Sequence, residues 1–191
     1  MSREPDPDVR SRILDAALAL LGEAGTARLT QTAVAREAGV RQSHLTYYFP
    51  TRAELLKATA VHSIEAMLST LGARAADGEL TLDMLTRIAD TMVGDKRRPR
   101  ILLGLITTSE EDRAIKGFLR DFVARVRAGL AMIAQQLGHD VAADRVALCH
   151  TLIVGAAVLN VARDDAASRR ESADMVRFAV ETLLLDGQGN D

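Results

Sequence analysis

The sequence predicts an all-α protein. Hydrophobic residues make up 48% of the 191 residues and charged residues 26%, a balance typical of a soluble globular protein and not of a disordered one. Aromatic residues reach only 3% and tryptophan is absent, whereas strands favour aromatic and β-branched side chains. Alanine and leucine are abundant, and apolar residues recur every three to four positions. We therefore expect about nine helices.

The first helix is predicted between Asp6 and Gly25. Asp6 can cap its start, a proline suits its first turn, and Asp8 is favoured by the helix dipole. Apolar residues follow at helical spacing from Ile13 to Ala24. A glycine then marks the end, because only glycine adopts left-handed backbone without strain.

Two short helices joined by a glycine turn are predicted next. Thr30 can cap a helix that ends near Ala38, and Gly39 can adopt the positive φ of a tight turn. The following helix covers about Gln42 to Tyr48, and Pro50 blocks its continuation. With the first helix these form a helix-turn-helix arrangement. The spacing alone fits a generic helical hairpin equally well.

The second short helix carries side chains suited to DNA. It is too short to need so many polar groups for solubility, and all of them can bond to bases or phosphates. The segment from Gly25 to Lys57 contains five basic residues and two acidic ones, so it is positively charged although the whole chain has a net charge of -2. The polar residues are Arg41, Gln42, Ser43, His44, Thr46, Tyr47 and Tyr48.

The stretch GVRQSHLTYYFPTRAELL, Gly39 to Leu56, resembles the TetR family of bacterial transcriptional regulators. The resemblance extends back through Arg10 to Gly25 and Leu29 to Gly39, and covers about the first third of the chain. Helix starts, turn glycine, aromatic pair and the basic residue after the turn all fall in register. Arg41 and Thr46 replace a small capping residue and a tyrosine that the family usually has, which bears on the operator sequence and leaves the fold assignment intact.

The resemblance implies which residues meet which part of the DNA. Backbone amides at the start of the first short helix would face phosphate together with Tyr47 and Arg52. Side chains that begin the second short helix can enter the major groove, and Arg41 is placed for guanine or phosphate. The predicted DNA-binding residues are Thr30, Gln31, Thr32, Arg41, Gln42, Ser43, His44, Thr46, Tyr47, Tyr48 and Arg52.

Long helices with short connections are predicted after Pro50. Thr51 and Glu54 form a capping-box pattern that begins a helix running through Leu71. The clearest amphipathic stripe lies in the predicted helix at 111–137. The other predicted helices are 82–92, a short one after Pro99, 143–162 and 171–185.

The last two predicted helices are apolar nearly all round. One subunit offers too little surface to cover them, so a partner subunit is the economical explanation. The resemblance implies that they form the four-helix interface of a homodimer.

The longest nearly uncharged run, Val146 to Ala162, is shorter than the ~20 residues of a membrane span, and the first residues lack an apolar signal segment. We therefore expect no membrane partner and a cytoplasmic protein.

A small-molecule site is expected beside the helix that begins at Thr51. The residues that can line a cavity there are rich in methionine, whose flexibility suits a pocket of adjustable shape. Each could instead fill a core, and His62 could be a ligand group or a hydrogen-bonded core histidine. The predicted ligand-binding residues are His62, Met67, Leu71, Met84, Ile88, Met92, Leu103, Ile106, Phe118, Phe122 and Met132.

Patterns that indicate catalysis or metal binding are missing from the sequence. The four histidines lack the spacing of helical metal sites, and no nucleophile elbow, P-loop or dinucleotide fingerprint occurs. Cys149 precedes His150, but neighbours on a helix point about 100° apart and cannot pair as thiolate and base. We predict no catalytic residue, metal or cofactor, and interpret Cys149 as a small buried residue, with a redox sensor as the alternative.

The densest basic cluster is Lys96, Arg97, Arg98 and Arg100. A solvated loop, a second phosphate contact and an entrance for an anionic ligand all fit it.

Two domains are predicted: a DNA-binding helix-turn-helix domain at 1–53, and a ligand-binding and dimerisation domain at 54–187. The predicted function is that of a repressor that binds double-stranded operator DNA as a homodimer and responds to a small-molecule effector. A helical ligand-binding or scaffold protein without DNA binding is the alternative, and an enzyme comes third.

Overall fold

The all-α prediction is confirmed. The computed structural model describes residues 7–79, 81, 84, 87–88, 91 and 93–185, and no strand occurs among them. A 3-10 turn at Thr26–Arg28 and a π-helical turn at Glu181–Leu185 supplement eight described α-helices. These are α1 Pro7–Ala24, α2 Gln31–Glu37, α3 Gln42–Tyr48, α4 Arg52–Ala76, α5 Arg97–Glu111, α6 Arg113–Gln136, α7 Ala143–Arg163 and α8 Ala166–Val180.

The chain forms two compact units. One lies within Met1–Ser63 and Arg100–Leu119, and the other within Ile64–Pro99 and Arg120–Asp191. The first therefore holds α1, α2, α3 and the start of α4, and the second holds α7 and α8. The division of function at residues 53 and 54 stays a prediction.

Two helices differ from their predicted bounds. The helix expected as a short one after Pro99 is α5, which begins at Arg97 and has 15 residues. Proline is tolerated in its first turn because amides there have no partner within the helix. The helix expected from residue 111 is α6, which begins at Arg113 because α5 extends to Glu111.

Asp165 starts the last helix earlier than predicted. α8 begins at Ala166 and not at Glu171. The Ser168 amide donates to Asp165 Oδ1 at 2.6 Å, and the Asp165 amide donates to Ser168 Oγ at 3.4 Å. This capping box satisfies two amides at the helix start. Serine replaces the glutamate that usually indicates this motif, so the sequence pattern did not predict it.

Parts of two predictions lie outside the described residues. Asp6, the expected cap of the first helix, is one of them. Of the helix predicted at 82–92, residues 84, 87, 88 and 91 are helical, and the rest lies outside.

Helices α7 and α8 pack as an antiparallel pair. Ser172 Oγ in α8 donates to the Ala156 carbonyl in α7 at 2.9 Å. Arg145, near the start of α7, donates through Nε to the Leu183 carbonyl at 3.3 Å, beyond the end of α8. Residues early in α7 thus meet residues late in the chain, as opposite directions require.

The helix that contains the apolar run Val146 to Ala162 is longer than the run itself. α7 has 21 residues and is the described helix long and apolar enough to cross a membrane by length and composition. Core helices of soluble proteins share this property. Asn160 in α7 is 2% exposed, donates to the Val93 carbonyl at 2.8 Å and accepts from Ser168 Oγ at 3.1 Å. Asn160 therefore marks the face of α7 that packs against protein, although only 22% of the apolar stretch is buried.

Cys149 lies in the core formed by α7, α8 and the π-helical turn. Its side chain is fully buried beside Val146, Ala179 and Leu184. Burial raises the pKa of the Cys149 thiol to about 12. The thiol therefore stays protonated near neutral pH, which agrees with a packing role and disfavours a reactive thiolate.

Gly129 in α6 provides a test of the packing against α4. A methyl group at Gly129 would lie 2.6 Å from Leu68 Cδ1 and 2.7 Å from Cδ2. Overpacking costs about 1 to 3 kcal/mol, which exceeds the roughly 1 kcal/mol that alanine gains over glycine in a helix. Gly129→Ala is expected to lower the free energy of unfolding in urea titrations.

Gly117, in the same helix, is the matched control. Apart from its chain neighbours and the backbone of its own helix, no described atom lies within 4 Å of a methyl group added there. Gly117→Ala is expected to raise the free energy of unfolding by about 0.5 to 1 kcal/mol. Equal stabilisation of both variants would contradict the close approach of α6 to Leu68.

Candidate nucleic-acid interface

Leu45 anchors α3 and thereby exposes its polar residues. The Leu45 side chain is fully buried, as are Val34 in α2 and Ile13 and Leu14 in α1, and α2 contacts both α1 and α3. Because α3 has only seven residues, one buried leucine fixes which side faces inward. The exposed residues at its start and along it are Arg41, Gln42, Ser43, His44, Thr46 and Tyr47.

The turn between α2 and α3 has the predicted glycine and an additional clamp. Gly39 has φ 65°, the left-handed conformation expected of it. Arg12 in α1 donates through Nη2 to the Ala38 carbonyl at 2.8 Å and to the Gly39 carbonyl at 3.4 Å. These bonds satisfy carbonyls at the end of α2 and fix the turn to α1.

The start of α2 is capped and tied to the end of α3. Thr30 Oγ1 accepts from the Ala33 amide at 3.1 Å, so the predicted cap is confirmed. Gln31 Nε2 donates to the Phe49 carbonyl at 2.9 Å and to the Pro50 carbonyl at 3.0 Å. The Gln31 side chain therefore holds the two short helices together, while its backbone amide lies in the first turn of α2, where helical amides lack internal acceptors.

Arg52 reaches the segment that precedes α2. Its Nε donates to the Leu29 carbonyl at 3.2 Å and its Nη2 donates to the Thr26 carbonyl at 2.8 Å. Nη1 has no hydrogen-bond acceptor among the described residues. The guanidinium is thus fixed beside the start of α2 with donors to spare.

The capping box predicted at the start of α4 is confirmed. The Thr51 amide donates to Glu54 Oε2 at 3.1 Å, and the Glu54 amide donates to Thr51 Oγ1 at 3.1 Å. This cap places Arg52 in the first turn of α4.

Hydrogen bonds also connect residues on the exposed surface itself. Thr32 Oγ1 donates to Gln42 Oε1 at 3.3 Å, and Thr46 Oγ1 donates to the Gln42 carbonyl at 3.0 Å. Tyr47 is 62% exposed and contacts the ring of Tyr48 edge-on, with 5.5 Å between ring centroids. All predicted DNA-binding residues thus lie in one compact unit, within the helix-turn-helix and its flanks.

Three members of the basic cluster pair with carboxylates. Lys96 bonds to Asp164, while Arg97 and Arg98 bond to Asp95, with Arg97 Nε donating at 2.8 Å and Arg98 Nη1 at 3.3 Å. Burial acts to raise the pKa of Asp95, but hydrogen bonds from Arg97 and the charges of both arginines outweigh it and hold this pKa below its usual value. These cations are therefore already compensated.

Arg100, the fourth basic residue of the cluster, caps α1. Its Nη1 donates to the Leu21 carbonyl at 3.0 Å and to the Gly22 carbonyl at 2.5 Å. Since α5 begins at Arg97, the cluster largely forms the first turn of a helix. The interpretation as a solvated loop is wrong for Arg97, Arg98 and Arg100.

Four predicted ligand-binding residues meet in the second unit. Leu71 is buried beside Ile133, and partly buried Met67, Met84 and Ile88 pack against that pair. Phe122 is also partly buried in this unit, whereas Phe118 belongs to the first unit.

Four other predicted ligand-binding residues that the structure describes do not join this cluster. Leu103, Ile106 and Met132 are 38%, 44% and 47% exposed. His62 Nε2 lies 2.8 Å from Asp15 Oδ1, so it has a polar partner in α1. Met92 lies outside the described residues.

A family model matches the helix-turn-helix segment. Residues 13–59 match the model for bacterial regulatory proteins of the tetR family. The segment begins within α1, contains α2 and α3, and ends within α4. No match was found among curated protein sequences.

Solved structures share the fold over nearly the whole chain. A TetR transcription regulator from Haloarcula marismortui is 23% identical with a TM-score of 0.63, and the match covers 94% of this chain and 100% of that one. A transcriptional regulator from Saccharomonospora viridis in complex with choline is 18% identical with a TM-score of 0.68, covering 92% and 97%. The multidrug binding protein EbrR complexed with ethidium is 21% identical with a TM-score of 0.62, covering 91% and 99%.

These identities show a shared fold, and the family match adds a shared sequence pattern in the helix-turn-helix. The resemblance seen in the sequence is therefore confirmed: the helix-turn-helix segment matches the tetR family model, and the chain has the fold of solved transcriptional regulators.

Proposed function

We propose that this protein is a repressor that binds operator DNA as a homodimer and is released by a small, mainly apolar molecule. The observation that carries the proposal is the surface of α3, where buried Leu45 leaves a continuous set of exposed hydrogen-bonding side chains. A recognition helix requires such a surface, because base edges in the major groove are read by donors and acceptors.

We infer separate roles for α2 and α3 on DNA. The first amides of α2, including those of Gln31 and Thr32, meet a phosphate beside Arg52, whose Nη1 has no acceptor among the described residues. The side chains of Gln42, Ser43 and His44 enter the major groove. Phosphate contacts supply affinity for DNA of any sequence, whereas contacts in the major groove supply preference for particular bases.

Exposed apolar residues on α7 and α8 support the proposed homodimer. Leu148 and Leu159 in α7 are 51% and 59% exposed, and Met175 and Phe178 in α8 are 41% and 55% exposed. Large apolar side chains in such a group indicate an interaction surface. A dimer through this pair of helices must place its two α3 helices about 34 to 36 Å apart on DNA.

The apolar cluster around Leu71 is the proposed effector site. Its partly buried side chains Met67, Met84 and Ile88 are flexible or aliphatic. Solved structures with this fold hold choline and ethidium, which supports a site for small organic molecules. The effector lowers DNA affinity only if it binds the DNA-free arrangement more tightly, with a coupling of about 1 to 3 kcal/mol.

The DNA-binding proposal is tested by comparing Gln42→Ala with Arg52→Ala. Duplexes selected from a random library, and the DNA upstream of the gene, serve as specific probes, and scrambled duplexes serve as nonspecific ones. Gln42→Ala is expected to cost about 1 to 3 kcal/mol on the selected duplex and less on scrambled DNA. Arg52→Ala is expected to weaken binding to both and to reduce the salt slope by about one unit.

Two outcomes would contradict this assignment. A protein that selects no sequence is a ligand-binding or scaffold protein without DNA binding. Equal losses on both probes for Gln42→Ala would assign that residue to the DNA backbone.

The dimer proposal is tested by Leu159→Gln. Removing an exposed leucine from the proposed interface is expected to shift the protein from dimer towards monomer in sedimentation-velocity runs, because buried apolar area stabilises association. Met132→Gln, at a residue of similar exposure in α6, is the control and should leave the oligomeric state unchanged. A Leu159→Gln dimer of undiminished stability would contradict the interface.

The effector proposal is tested by Met84→Trp. The larger side chain is expected to fill the cluster around Leu71 and to reduce effector-induced loss of DNA binding, with uninduced DNA binding nearly unchanged. The measurement is operator affinity with and without ethidium as the probe. A full response to ethidium would move the site away from Met84.

A further inference from the structure

We propose that Thr32 determines which base Gln42 prefers, by fixing which end of the Gln42 amide faces DNA. This inference rests on the proposed function, since it assumes that α3 lies in the major groove. Thr32 thereby becomes a specificity-determining residue on the helix that otherwise contacts phosphate.

The geometry links the starts of the two short helices. Thr32 is the second residue of α2 and Gln42 is the first residue of α3, and both are exposed. Thr32 Oγ1 donates to Gln42 Oε1 at 3.3 Å. In the described part of the chain, no other side chain bonds to this amide.

The neighbouring threonine hydroxyls have other acceptors or donors. Thr30 Oγ1 accepts from the Ala33 amide, and Thr46 Oγ1 donates to the Gln42 backbone carbonyl. Thr32 is thus the threonine that acts on the Gln42 side chain itself. Its backbone amide remains separate from this bond and available for phosphate.

The bond engages one of the two lone pairs of Oε1 and orients the amide so that its donor end is left for DNA. A glutamine that reads adenine uses both ends, because Oε1 accepts from adenine N6 while Nε2 donates to N7. With Oε1 held by Thr32, the Nε2 hydrogens are directed outward. Guanine presents two acceptors, N7 and O6, on its major-groove edge. Gln42 in this arrangement therefore favours guanine over adenine.

The experiment uses the full-length chain and its Thr32→Val, Thr32→Ser and Thr70→Val variants. Valine keeps the shape and the backbone amide of threonine but removes the hydroxyl, whereas serine retains it. Thr70 is an exposed threonine in α4, in the second unit, and serves as the matched control. Each protein selects duplexes from a random library, and dissociation constants are measured on duplexes that differ only at the base pair whose discrimination Gln42→Ala abolishes.

The wild type, Thr32→Ser and Thr70→Val are expected to prefer guanine over adenine at that pair by about fivefold or more. Thr32→Val is expected to lose most of this preference while its affinity for scrambled DNA stays within about twofold of the wild type. In a Gln42→Ala background, Thr32→Val should have no further effect, because Thr32 acts only through that amide.

An unchanged base preference in Thr32→Val would overturn the inference and leave the proposed function standing. A wild-type preference for adenine would also overturn it. A wild type that selects no sequence would instead remove the proposed function on which the inference rests. A Thr32→Val defect that persists in the Gln42→Ala background would show a structural role in α2 and would likewise overturn the inference.

Discussion

The helix-turn-helix depends on hydrogen bonds to the backbone amides and carbonyls at the ends of its short helices. A seven-residue helix leaves most of its amides and carbonyls without a partner inside the helix. In the first unit, guanidinium groups from three different helices supply the missing donors, each to carbonyls at the end of a helical segment. Arg12 donates to a carbonyl at the end of α2. Arg52 donates to a carbonyl in the 3-10 turn before α2, and Arg100 donates to a carbonyl at the end of α1. The positive charge is also favourable there, because a helix dipole is negative at its carbonyl end.

Features that depend on a few neighbouring residues could be predicted from the sequence. Gly25 and Gly39 have the positive φ expected of them, and Thr30 and Thr51 form the expected caps. The burial of Leu45 follows from helical spacing in the same way. The arginine bonds could not be predicted, because they join residues 23 to 79 positions apart and a long flexible side chain gives no local pattern. For that reason the sequence indicated only that Arg52 is a basic residue of the helix-turn-helix segment and that Arg100 belongs to a basic cluster.

The last two helices show a different limit of sequence reasoning. The sequence of these helices is apolar nearly all round, which predicted that every side of each helix is buried. In one subunit, α7 instead buries one stripe that includes polar Asn160, and α8 buries Ser168 and Ser172 on the facing side. Hydrogen bonds between these residues fix the pair in one register, since a shifted register would leave buried polar atoms unsatisfied. The apolar residues Leu159 and Phe178 remain exposed, so the apolar pattern does not correspond to burial on every side of one chain.

The hydrogen bonds of the arginines also affect which groups are expected to supply affinity for DNA. Arg12, Arg52 and Arg100 keep their positive charge but donate to backbone carbonyls, so fewer of their N–H groups remain for phosphate. The side chains of Arg28, Arg36 and Arg41 make no hydrogen bond or ion pair with any described residue, and all three residues are exposed. These three lie in or beside the helix-turn-helix and, with Arg52 and the first amides of α2, can attract phosphate. Because the amides are fixed by the Thr30 cap and the Gln31 bonds, the proposed phosphate contact and the orientation of α3 depend on the same few hydrogen bonds. A change that breaks these bonds should therefore weaken both.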